Sequence, residues 1–170
     1  MNRKLILFSL LFALTFPFGH AEAKTYNAKQ LKGSYSMVMS GMITFVGGTV
    51  VSLPTWYSGE FKADGRGKIT AIEGTFNVGG CFIVRLSGTG TYSVNSNGTG
   101  SAPTTVSVEP LAASAACPSL GFTFPSSIGF DFVFSLLDKK SGHIVITSLK
   151  DAAGNSIAAF GASGEAVRQD

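Results

Sequence analysis

The stretch Cys81-Phe-Ile-Val-Arg-Leu-Ser-Gly-Thr-Gly-Thr-Tyr-Ser-Val94 alternates in character along its length. Even positions carry Phe82, Val84, Leu86, Tyr92 and Val94; odd positions carry Arg85, Ser87, Thr89, Thr91 and Ser93. Successive side chains of an extended backbone point to opposite faces, so a period of two marks a strand with one buried face and one wetted face. Asn95-Ser-Asn-Gly98 follows, with the amide side chains and glycine that a tight reversal needs. Residues 99–108 then read as the returning strand. The same period runs upstream, where Tyr35, Met37, Met39, Ile43 and Phe45 share a face, and downstream, where Phe130, Phe132, Phe134 and Leu136 do.

Turn signals at Asp64-Gly-Arg-Gly67, Gly79-Gly80, Asp138-Lys-Lys-Ser-Gly142 and Asp151-Ala-Ala-Gly-Asn155 divide the remaining chain into strands at 56–63, 68–78, 143–150 and 156–167. The pattern predicts eight or nine strands, one long irregular loop at 109–120, and a short helical turn at 27–31. Glycines fall inside the strands, at Gly41, Gly59, Gly74, Gly88, Gly90, Gly161 and Gly164. Interior glycine permits sharp bending and close backbone approach, which a curling sheet needs. Sequential strands, short turns and these glycines favour an all-β, antiparallel up-and-down barrel of about eight strands, with a β-sandwich as the alternative.

The opening Leu31-Lys-Gly33-Ser-Tyr35 resembles the first-strand pattern of lipocalin-like (calycin) barrels, in which a glycine and then an aromatic follow a short helical turn. That resemblance implies a basic residue near the last strand packed over the aromatic, a role for Arg168 over Tyr35, which replaces the family's usual tryptophan. The hairpin pattern is also similar to that of uncharacterised exported bacterial β-barrel proteins, which carry no function to transfer.

Arg3 and Lys4 precede an almost wholly apolar run, and Ala21-Glu-Ala23 supplies the small-x-small pattern of a cleavage site. Residues 1–23 therefore read as a secretory signal peptide, and 24–170 as a single exported barrel domain, periplasmic or secreted, with no transmembrane helix. Two cysteines in an oxidising compartment predict one disulfide, Cys81–Cys117.

Charged residues are only 14% of the chain, and the net charge of +3 is too slight to indicate a nucleic-acid partner. His143 is the single histidine after position 23 and the cysteines are expected to be bonded, so a His-rich metal site is excluded within one chain. No G-x-S-x-G elbow, P-loop or dinucleotide fingerprint occurs, and no cofactor is implied. Glu60 and Glu73 flank one hairpin and are candidates for an acid/base pair, although solvated strand positions explain them better. Asp131 interrupts a run of phenylalanines, and is read as water-facing, as paired with a base such as Arg85, or as a polar anchor in a pocket.

Fourteen Phe, four Tyr and one Trp are the chain's distinctive resource. A barrel of this size either fills its interior or holds one small ligand. The leading expectation is a soluble barrel that binds a small hydrophobic molecule, lined by Tyr35, Met37, Met39, Tyr57, Phe61, Phe76, Phe132 and Phe134, with Met37, Met39 and Met42 as adaptable surface. The alternatives are a structural or surface-interaction module with a filled interior, a barrel cyclase, and an outer-membrane barrel with its apolar face turned to lipid.

Overall fold

The computed structural model describes residues 25–46, 50–113 and 125–169. The expected signal peptide, Cys117 and the greater part of the expected loop at 109–120 lie outside the described residues. A 3₁₀ turn, Ala28–Gln30, precedes strands β1 (Lys32–Val46), β2 (Val50–Asp64), β3 (Lys68–Val78), β4 (Phe82–Thr91), β5 (Ser93–Val94), β6 (Thr99–Ala113), β7 (Ser127–Leu136), β8 (Ser141–Lys150) and β9 (Ser156–Gln169). The sheet runs β4-β3-β2-β1-β9-β8-β7-β6-β5, and β4 also pairs with β6. All pairings are antiparallel, so the chain forms a closed eight-walled barrel in which β5 merely continues β4 along the same partner. The ladder lapses at Tyr92, beside the register position of Pro103, a residue with no N–H to donate.

The alternation resolves with its apolar face inward. Tyr35, Met37, Met39 and Ile43 of β1, Val84 and Leu86 of β4, and Phe130 and Phe132 of β7 are all buried. The outward positions are largely Ser, Thr and scattered charges, as in Ser34, Ser36 and Ser40 of β1 and Ser101, Thr105 and Ser107 of β6. A lipid-facing barrel has the opposite arrangement, an apolar outer band around a polar lumen.

Register shifts occur between Ile69 and Ile72 of β3 and between Ile146 and Leu149 of β8. All four residues are buried despite their odd spacing. An extra residue in one strand resets which side chains face inward and sharpens the local twist.

Two expectations, one about a strand limit and one about a side chain's face, need correction. Residues 109–113 are strand and not loop, because β6 continues to Ala113 and pairs with β4 as far as Phe82. The longer strand is what matches the full length of β4, with a register shift between Ile83 and Val84 beside Pro110. Met42 does not belong with Met37 and Met39: it points outward and is 47% exposed.

Three hairpins use one device. The Oδ1 atom of Asp64 accepts the N–H groups of Arg66 and Lys68, at 2.6 and 3.0 Å. Asp138 Oδ1 accepts those of Lys140 and Ser141, at 2.6 and 2.8 Å. Asp151 Oδ1 accepts those of Ala153 and Asn155, at 2.9 and 2.8 Å. An Asp side chain thereby satisfies turn amides that have no ladder partner. The backbone N–H of Lys68, then that of Arg66, holds the Asp64 carboxyl below its ordinary value of 3.8, and Asn155 does the same for Asp151.

Inside the barrel, Gly59 and Gly74 face one another across β2 and β3. The Tyr57 ring lies over both, and its hydroxyl donates to the Glu73 carbonyl at 3.1 Å. A Cβ on either glycine would fall 2.4 Å from the Tyr57 Oη. Burial raises the Tyr57 pKa well above 10.0, and Glu60 raises it further, so the hydroxyl stays protonated as a donor.

Two outcomes follow from this packing and these turns. Gly74→Ala forces the Tyr57 ring to move and destabilises the barrel by about 1–3 kcal/mol, the usual cost of overpacking; denaturant unfolding measures it, and a wild-type midpoint refutes the packing argument. Because the folded-state values of Asp64 and Asp151 are depressed, their stabilisation is complete above the unfolded value near 3.8 and fades as pH falls through the lower folded values. An Asp64→Asn/Asp151→Asn variant, which keeps an acceptor oxygen in each turn, therefore loses less stability than wild type between pH 5 and pH 2 in urea titrations.

Candidate functional site: an apolar cavity at one end of the barrel

The barrel has two different halves. In the half toward the β8–β9 hairpin, Phe76, Phe130 and Phe160 meet with ring centroids 5.8–6.2 Å apart, and the Phe76 ring is edge-on to the other two. Such contacts are the favoured geometry of aromatic pairs and fill space densely. Phe132 joins them through Phe130 at 5.9 Å. In the other half, Tyr35 stacks on Phe61 at 5.0 Å and 7°. Parallel stacking leaves the space beyond the two rings unfilled.

That space is a cleft of about 40 Å³, open at its rim. Tyr35, Met37, Phe61, Phe132, Phe134 and Ala166 are among its walls, with Asp138 and Lys139 of the β7–β8 hairpin at the rim. A second void of about 10 Å³ lies deeper, against Met39, Tyr57 and Phe76, and shares the walls Met37, Ile72, Thr104 and Phe132 with the first. All eight residues singled out as lining thus border one void or the other. Beyond those eight, the cleft is walled by Leu31, Ile69, Ile72, Ala102, Leu136 and Ile144. They escape a search for aromatics because they are aliphatic or small, and Ile69 and Ile72 also break the period of two at the β3 register shift.

The free space itself is small. Ligand pockets for drug-sized molecules begin near ~300 Å³, and a void of this size holds little more than water. Among the described residues, two buried polar side chains face the interior. Thr104 Oγ1 donates to the Phe130 carbonyl at 3.1 Å. Thr55 Oγ1, in the opposite half, has no hydrogen-bond partner among the described residues.

The N-terminal segment lies across the open end. Asn27 and Gln30 form a reciprocal capping box around the 3₁₀ turn. The Tyr26 amide donates to the Ser96 carbonyl at 3.0 Å. The Tyr92 hydroxyl is within 3.0 Å of the Ala28 carbonyl and 2.9 Å of the Leu31 carbonyl. Tyr35 donates to the Gln30 carbonyl at 3.3 Å. Tyr35 and Arg168 are register partners on β1 and β9. The Arg168 guanidinium passes over Gly33, whose φ of 125° and missing side chain make room: a Cβ there would sit 3.1 Å from Nε. Burial raises the Tyr35 pKa, and Arg168 opposes that rise.

The polar candidates lie elsewhere. Glu60 and Glu73 are direct register partners, but on the outer wall. Arg85 is also outside and pairs with Glu109 at 3.2 Å. It is therefore not the partner of Asp131, which instead binds the ammonium of Lys150 and accepts from Ser148 Oγ at 2.6 Å. The Lys150 and Ser148 hydrogen bonds hold the Asp131 carboxyl below its ordinary value. Because Asp131 points away from the phenylalanines, it is no anchor in the interior. His143 is exposed and lies 4.0 Å from Glu165. Cys81 is buried just before β4, and no free cysteine occurs among the described residues. Among those residues no three His, Cys, Asp or Glu side chains are grouped to hold a metal ion, and no helix is long and apolar enough to cross a membrane.

No family model matches the chain, and no curated protein matches it. The chain is similar to the solved structure of EF1p2_mFAP2b bound to DFHBI, at 16% sequence identity and a TM-score of 0.47, over 84% of this chain and 96% of that one.

Proposed function

We propose that this protein is an exported, lipocalin-like barrel that binds a small hydrophobic molecule in the cleft beneath its N-terminal turn. The observation that carries the reading is the asymmetry of the interior: one half is packed by interlocking phenylalanines, and the other keeps an apolar cleft open at its rim. A guest larger than the present space needs side chains to swing aside. Phe134 and Leu136, only partly buried, and Met37, an unbranched and adaptable side chain, stand where that is least costly. The pairing of Tyr35 with Arg168 supports the lipocalin-like reading of the two chain ends.

Export rests on the sequence of residues 1–23, and it suits a Cys81–Cys117 bridge. Such a bridge closes a loop of about 37 residues and adds roughly 3–4 kcal/mol in the chain-entropy account.

The small free volume favours a second reading, a structural barrel with a filled interior. A neutral fluorescent probe, N-phenyl-1-naphthylamine, separates the two. In the ligand-binding reading, the purified protein enhances its emission saturably, and Ala166→Leu or Ala102→Leu, which add bulk to the cleft, weaken binding at least tenfold while the far-UV circular dichroism spectrum is unchanged. Absence of saturable binding to wild type, extended over a panel of neutral apolar compounds, refutes the proposal in favour of the filled barrel.

A further inference from the structure

The turn Asn95-Ser-Asn-Gly98 joins β5 to β6 and contains the chain's single Asn-Gly pair, Asn97-Gly98. The amide carbon of an asparagine is open to attack by the backbone nitrogen of the next residue, and glycine obstructs that attack least because it has no Cβ. The structure adds the setting of the amide oxygen. Asn97 Oδ1 accepts two hydrogen bonds from Thr99, from its N–H at 3.1 Å and from its hydroxyl at 2.7 Å. Two donors on one atom mark it as the oxygen of the amide and not the nitrogen. The Thr99 hydroxyl is itself held, accepting from Asn95 Nδ2 at 3.0 Å, so its one proton points at Asn97. Paired donors at such distances stabilise the negative charge that develops on a carbonyl oxygen under attack. Asn97 is also exposed, so a leaving group escapes directly to water.

The chain holds an internal counterpart. Asp64-Gly65 is its single Asp-Gly pair, and Asp64 Oδ1 likewise accepts the N–H two residues on, that of Arg66, at 2.6 Å. The Lys68 and Arg66 amides hold the Asp64 carboxyl below its ordinary value, so it is an anion at neutral pH. A carboxylate repels a nucleophile where a neutral amide does not. Similar geometry is therefore reactive at Asn97 and inert at Asp64.

The Asn95–Gly98 turn is also a junction. The Ser96 carbonyl accepts the Tyr26 N–H at 3.0 Å, and the Gly98 carbonyl accepts the Leu136 N–H at 2.9 Å. Gly98 has a φ of 87°, and a Cβ on it would fall 3.0 Å from the Tyr26 ring.

We infer that Asn97 is a self-modification site whose conversion loosens the N-terminal turn. The Gly98 N–H leaves the Asn95 carbonyl, to which it donates at 2.9 Å, and gives its proton to hydroxide. The freed nitrogen bonds to Asn97 Cγ while Thr99 holds the oxygen. The Cγ–Nδ2 bond then breaks, and Nδ2 takes a proton from water and departs as ammonia. Water opens the resulting cyclic imide at one carbonyl or the other, leaving aspartate or isoaspartate at position 97. Isoaspartate routes the chain through its side-chain carbon, which adds one methylene to the backbone beside Gly98. That insertion shifts the Ser96 and Gly98 carbonyls relative to Tyr26 and Leu136.

The test holds the purified full chain at neutral and at mildly alkaline pH and follows it by peptide mass spectrometry. Isoaspartate is counted with protein-isoaspartate methyltransferase. The peptide containing Asn97 is expected to gain one mass unit, faster at the higher pH, while Asn27, Asn77, Asn95, Asn155 and Asp64 stay unchanged over the same interval. Thr99→Val keeps the side chain's shape without its hydroxyl and slows conversion about fivefold, far less than in a buried site because water replaces the lost donor at an exposed turn. Thr99→Ser restores the rate. Hydrogen exchange of amides 26–31 is faster in the aged chain than in the fresh one, and does not change on ageing of Asn97→Gln. If the folded chain keeps Asn97 intact while the urea-unfolded chain converts it, the fold protects the residue and the assignment falls. A Thr99→Val rate equal to or above wild type, or no recovery in Thr99→Ser, overturns the role of Thr99. Unchanged exchange in the aged chain overturns the coupling to the N-terminal turn.

Discussion

The pairing of β1 with β9, the first strand with the last, turns a meander into a closed wall, and closure fixes the volume that interior side chains must share. Eight strands enclose a space just wide enough for side chains. Every inward position is therefore set against the one across the barrel. Where three phenylalanines interlock, that space is used up. Where a tyrosine ring must lie flat against the wall, the wall gives up its side chains, as Gly59 and Gly74 do beneath Tyr57. The glycines scattered through the strands are thus part of the packing and not only points of bending.

Strand positions are legible in the sequence because one face is apolar and the other polar, and the aspartate–glycine and asparagine–glycine turns punctuate them. The barrel follows from that order, since each strand pairs with a sequence neighbour. Whether Phe132 and its row point inward or to lipid is not legible, because alternation is symmetrical; the structure decides it through burial. The β3 and β8 register shifts hide Ile72 and Leu149 from any period of two. The partner of Asp131 is likewise invisible. Arg85 and Lys150 are both bases on outward positions, and only the register places Ser148 opposite Asp131, with Lys150 close by. The amount of free space inside is the least legible feature, since it depends on ring orientation, parallel for Tyr35 and Phe61 and crossed for Phe76 and Phe130.

The candidate site also draws on residues with no chemistry of their own. Ala102 and Ala166 line the cleft because they are small, and Gly33 gives the Arg168 guanidinium its path. Sequence reasoning that looks for reactive side chains finds His143, Glu60, Glu73 and Asp131, all of which face outward. The interior is shaped by apolar contact, and the Thr55 hydroxyl in the opposite half has no hydrogen-bond partner among the described residues.

Stability is unevenly distributed between the two ends, and this bears on how a guest would enter. Parting any two wall strands breaks a ladder of backbone hydrogen bonds along ten or so residues and leaves donors and acceptors exposed within the barrel wall. The N-terminal turn is held by far less. Tyr92 has a single hydroxyl proton for two carbonyls, those of Ala28 and Leu31, so the two contacts share one donor. The Tyr26 hydroxyl reaches the Leu137 carbonyl only at 3.4 Å. The turn is three residues long and contains no buried residue. Local opening draws on segments with fewer buried contacts than a strand ladder, and within the turn it is Ala28 that packs against the core. Entry at the turned end would therefore leave the phenylalanine-packed half undisturbed, so the half that stabilises the barrel would not need to rearrange for the half proposed to take a guest.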